Sequence, residues 1–166
     1  MNRYFRHGAE FNDCLKTIEY LKNLKELRKE KYTYLQVHTT VSIYNVNLLK
    51  DIEDYFAERY PEYETNHRLL YWPAQLCIRN MPEDLKSIIK PFVESLGEKY
   101  IDVINELNTP GPDLFNHFLN FHNTLDSLRH ESLEHINPML YEYIKKYSKL
   151  LINSRTFFLE QMEVIK

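Results

Sequence analysis

The sequence predicts a helix-rich α/β protein, one strand–helix–strand unit followed by an all-helical C-terminal part. Three observations carry this. Two stretches of strand composition, 34–45 and 68–79, flank a segment with helical periodicity. After Pro82 every periodic segment is helical. Only three glycines occur in 166 residues, which favours helices over a turn-rich all-β architecture.

Taken in order, the first element is a helix from Glu10 to about Lys29, with Phe11, Cys14, Leu15, Ile18 and Leu21 at helical spacing. The strand 34–45 follows and is divided: Val37, Val41 and Ile43 fall on one face, His38, Thr40, Ser42 and Tyr44 on the other. A strand covered on both sides should be apolar almost throughout. The polar face therefore looks at water, at a ligand cavity, or at a part of the fold outside this chain. NVNLLKDIEDYFAERYPEY is the helix between the strands, ended by Pro61. The second strand carries Pro73, which cannot donate to a ladder and so marks an edge or a bulge. Beyond it, Pro82 suits a first helical turn and Pro91 is expected to kink or divide the helix that follows. TPGP at 109–112 is the strongest break, and Asp113 can cap the next helix. In that helix Leu114, Phe118, Phe121, Leu125 and Leu128 form the expected core stripe. INP then separates it from a final helix with a ragged end.

Composition excludes several classes. A net charge of −3 argues against a dedicated nucleic-acid binder. No apolar run approaches the ~20 residues of a membrane span. The stretch MNRYFRHGAEFNDC lacks the apolar core of a signal peptide, so a cytoplasmic protein is expected. Cys14 and Cys77 belong to no CxxC pair and read as buried reduced thiols. His117 and His122 are five apart, which misses the i, i+4 geometry of a two-histidine helical metal site; no metal is expected. Asp126 and Arg129, three apart, can pair on one helical turn, and Tyr71, Trp72 and Pro73 read as rim or core packing. Two strands are too few for a stable covered parallel sheet, so the first half looks like the end of a larger α/β unit.

HTTVSIYNVNLLKDIEDYF, followed by Pro73, Leu76, Ile78, Met81 and Pro82 and then by LDSLRHESLEHINP, resembles the C-terminal half of radical SAM proteins. In the type meant here, a partial (β/α) barrel of TIM kind carries a short helical extension. A helix near its end is matched by Phe121, His122, Thr124, Leu125, Asp126, Arg129 and Pro138, and YFRHGAEFNDCLKTIEYLK resembles the preceding barrel region. The resemblance implies a barrel fragment over residues 1–81 and a helical extension over 82–166, packed as one domain. It also implies that His38, Thr40, Ser42 and Tyr44 face the barrel interior, with Thr40, Ser42 and Asn45 as contacts to S-adenosylmethionine. One motif departs. The CxxxCxxC triplet that would hold a [4Fe–4S] cluster is absent, so the chain reads as the portion downstream of the cluster half. Cluster and S-adenosylmethionine are then expected only in a complete family member, and the chain alone is not catalytically competent. The partners expected are an upstream radical SAM half, or a second copy through the unprotected strand 34–45, whose residues 35–46 hold neither charge nor proline. The alternative is a noncatalytic α/β protein-interaction domain.

Overall fold

A computed structural model describes residues 10–28 and 36–150. The elements of the first compact unit, which runs to Glu131, are α1 (Phe11–Arg28), β1 (Gln36–Val41), α2 (Leu49–Arg59), β2 (Glu64–Leu69), α3 (Glu83–Glu94), α4 (Ile101–Asn108) and α5 (Phe115–Arg129). Short 3-10 turns at Val46–Leu48, Ala74–Leu76, Ile78–Asn80 and Glu98–Tyr100 join them. The second unit starts at Ser132 and contains α6, residues 138–150. There Asn137 caps the helix, its Oδ1 accepting from the Leu140 N–H at 3.1 Å, and Pro138 opens the first turn, where its missing N–H costs nothing. No helix among the described residues is long and apolar enough to cross a membrane.

The α/β character is borne out: β1 and β2 form a parallel pair, with Gln36 opposite Glu64 and Val41 opposite Leu69. Both strands are displaced from their expected positions. β1 ends at Val41 rather than at residue 45, because Asn45 turns back onto it; residues 34–35 lie outside the described residues. β2 occupies 64–69, not 68–79. After Leu69 the chain runs through Pro73, which has no N–H for a ladder, into two consecutive 3-10 turns.

The core lies on one side of this pair. Val41 and Ile43 are buried together with Val46, Leu49, Ile78 and the α3 stripe Leu85, Ile89 and Val93. That α3 face follows from i, i+4, i+8 spacing. Pro91 stays inside α3, and the expected division falls instead at Gly97, whose φ of +89° suits glycine alone. On α5 the buried face is Phe115, Phe118, Leu119 and His122, while Leu128 is 73% exposed. Of the stripe expected over 114–128, Phe118 is buried and Phe121 and Leu125 are half-buried, while the buried face turns toward Phe115, Leu119 and His122; Leu114 is the cap residue, and the helix closes at His130 in a left-handed conformation (φ 53°) just past Leu128. Cys77 is buried as expected, but Cys14 is exposed.

Between α4 and α5 the chain passes directly over the Ile78–Asn80 turn. A methyl group built on Gly111 would lie 2.5 Å from Asn80 Oδ1 and 2.8 Å from the Arg79 carbonyl oxygen, and the latter is backbone that cannot step aside. Gly111→Ala is expected to lower stability by about 1–3 kcal/mol, the usual cost of overpacking, as read from urea denaturation midpoints. An unchanged midpoint would show that this crossing is loose.

Candidate functional site

In parallel α/β sheets ligands meet the carboxyl ends of the strands. Here that end is built by the turn 42–45. Asn45, nearly buried, donates from Nδ2 to the Thr40 carbonyl at 2.9 Å, while its Oδ1 accepts from the Ser42 N–H at 2.9 Å and faces Ser42 Oγ at 3.4 Å. The Asn45 and Val46 N–H groups both return to the Ser42 carbonyl. The Ile43 N–H donates to the Leu76 carbonyl at 3.0 Å, tying this turn to the loop after β2. Thr40, Ser42 and Asn45 thus form one cluster. Within it Asn45 is engaged in shaping the turn, Thr40 is exposed and Ser42 half-buried.

Tyr44 departs from the face expected for it. Its ring lies edge-on to Phe118 at 5.2 Å, and its hydroxyl is 3.5 Å from Nδ1 of His122. Residues beyond Val41 no longer follow strand alternation, so Tyr44 swings into the layer of α5. His122 stacks on Phe118 at 5.6 Å, and its Nε2 is 3.6 Å from Asp126 Oδ2, one turn further along the helix. Burial pushes the Tyr44 phenol up, assisted by the Asp126 charge and opposed by Arg129. Burial holds the His122 imidazole below its ordinary value of 6.5, against the pull of Asp126.

The polar face of β1 continues across the sheet. By register, Gln36, His38 and Thr40 lie beside Glu64, Asn66 and Arg68. Gln36 Nε2 donates to Glu64 Oε2 at 3.1 Å, and Gln36 Oε1 accepts from His38 Nε2 at 3.0 Å. Gln36, His38, Thr40, Glu64 and Arg68 are exposed.

The opposite face carries a second polar cluster that sequence reasoning missed. His67 Nε2 is 2.6 Å from Asp102 Oδ1, and the ring stacks on Tyr100 at 4.6 Å. Glu53 meets Lys99, which also donates to Thr65 Oγ1 at 2.8 Å. Tyr100 is pushed up, first by burial and then by its hydrogen bond to Glu53. These residues are 35 and 46 positions apart in sequence, and no local spacing marks them.

The thiols do not fit an iron–sulfur cluster. Cys14 sits on α1, Cys77 follows a 3-10 turn with its Sγ 3.5 Å from the Pro73 carbonyl oxygen, and burial pushes that thiol up, away from the thiolate a cluster needs.

Two predictions follow from this geometry. Asn45→Ala strands a strand-end carbonyl and a turn N–H, and is expected to cost about 1–3 kcal/mol by urea denaturation. Asn45→Asp keeps the acceptor for the Ser42 N–H but sets a carboxylate oxygen against the Thr40 carbonyl, and should cost at least as much as Ala; equality with wild type would show that the Thr40 bond contributes nothing. For His122, the unfolded chain takes up its proton at higher pH than the folded one. Stability should therefore fall as pH drops below about 6.5, and the loss is complete only below the depressed folded value. Denaturation midpoints measured from about pH 7.5 to about pH 5 should show this fall in wild type and a shallower one in His122→Phe, which keeps the stack on Phe118. Parallel curves for the two proteins would rule His122 out as the source.

No family model matches this chain, and no curated protein or solved structure matches it.

Proposed function

We propose that the chain is the C-terminal portion of a radical SAM-like partial barrel, contributing one wall of a cavity for S-adenosylmethionine and substrate. One observation carries the reading. The two parallel strands present polar residues on the same face, Gln36, His38 and Thr40 beside Glu64, Asn66 and Arg68, and direct Val41 into the core. A barrel interior that receives a polar ligand asks for a polar inner face, with helices packed on the other side. In this reading the Thr40 and Ser42 hydroxyls meet the ligand and Asn45 holds the strand end in shape. The cluster belongs to an upstream half, since this chain offers only two separated thiols.

A second reading, a noncatalytic interaction domain, is favoured by Tyr71 and Trp72, which are 67% and 82% exposed just beyond β2. Exposed aromatics of this kind are enriched at protein interfaces.

The test is anaerobic reconstitution with iron and sulfide, followed by titration with S-adenosylmethionine, of the chain alone and of the chain co-produced with the polypeptide encoded next to it. The chain alone is expected to take up neither. The pair is expected to develop a cluster absorbance band and to bind S-adenosylmethionine, with Ser42→Ala weakening that affinity about tenfold, ~1.4 kcal/mol. Stoichiometric iron and sulfide on the chain alone, or an adjoining coding region without a CxxxCxxC frame, would overturn the reading.

A further inference from the structure

The direction of the backbone groups along β1 identifies a second surface. The Val41 carbonyl accepts from the Leu70 N–H at 2.9 Å, so Val41 faces β2. In a parallel ladder the facing residues alternate, which turns Thr39 and Val37 toward β2 and Gln36, His38 and Thr40 outward. The Thr40 carbonyl confirms the direction, since it is the one that Asn45 Nδ2 reaches from outside the sheet. Asn45 thus closes the outer edge at one end only. Among the described residues no third strand pairs with β1, which leaves the N–H and C=O groups of Gln36 and His38 and the N–H of Thr40 along that edge.

We infer that this outer edge pairs antiparallel with the same edge of a second copy of the chain, giving a four-stranded sheet β2–β1–β1–β2 across a two-fold axis. A row of outward N–H and C=O groups is complementary to itself under such an axis. The strand QVHTTV holds no Asp, Glu, Lys or Arg, so two copies bring no like charges together, and it holds no proline to block the ladder. Its β-branched content fits pairing on both faces, with Val37 and Thr39 toward the helices and His38 and Thr40 on the polar side. A two-stranded sheet is also at the lower limit of what stands alone, and pairing doubles it. The inference is independent of the proposed function, because it concerns the chain by itself.

Light scattering on the full chain over a concentration series, combined with residue-resolved amide exchange, tests it. The expected result is a doubling of mass with concentration. The His38 and Thr40 amides should gain protection in step with it, while Thr39 and Val41 stay protected throughout. His38→Pro removes an outward N–H and should abolish the dimer with helical circular dichroism retained. His38→Lys leaves the ladder intact but sets two positive charges near each other across the axis, and it should do the same. A monomer at every concentration overturns the inference, whether its edge amides exchange fast or are already protected by the chain's own residues. So does a dimer that both substitutions leave intact, or a larger assembly.

Discussion

One carboxamide organises the end of β1. Asn45 reaches the Thr40 carbonyl with its donor and the Ser42 N–H with its acceptor, and these two bonds turn an extended strand into a tight corner within four residues. Much else depends on that corner. It aims Ile43 into the core, brings its N–H to the Leu76 carbonyl, and starts the 3-10 turn that leads into α2. It also throws Tyr44 out of the sheet and onto α5, so the end of β1 and a helix more than seventy residues away share a contact. A buried amide is worth this role because both its ends are satisfied; either end left alone would count against the fold.

The apolar periodicities were legible. α1, α2 and α3 lie where 3.6-residue spacing put them, and the parallel strand pair around α2 follows from the order of patterns. What could not be read was decided by partners remote in sequence. The expected strand over 68–79 had the right composition, but β2 is the polar run ETNHRL, which becomes a strand because β1 is there to pair with it. Its apolar successor, with Pro73, folds into 3-10 turns instead. The core face of α5 departs from its apolar spacing for a similar reason: His122 is polar by type, yet it belongs inside because Tyr44 and Phe118 enclose its ring.

The candidate site was partly legible as well. The strand pattern places Thr40, Ser42 and Asn45 at one strand end, where they form one cluster, but nothing in their spacing tells that Asn45 bonds the backbone on both sides. Asn45, with donor and acceptor both engaged by nearby backbone, shapes the turn, while Thr40 beside it is exposed and Ser42 half-buried. The His67–Asp102 pair lies on the face that alternation assigns to the core, where a histidine reads as filler until the residue opposite it is known.

The crossing at Gly111 has a consequence of its own. Both residues beside it are prolines, so the backbone passing over the Ile78–Asn80 turn has one N–H in three residues. Such a stretch offers almost only acceptors, and glycine gives it no bulk. It can lie close against another piece of backbone without bringing in donors that would need partners. The α4–α5 connection behaves as a strap, thin and short of donors, clasped by the Leu114 N–H on the Asn80 carbonyl at 3.1 Å. Its closeness to the turn after β2 comes as much from what its residues lack as from that one bond.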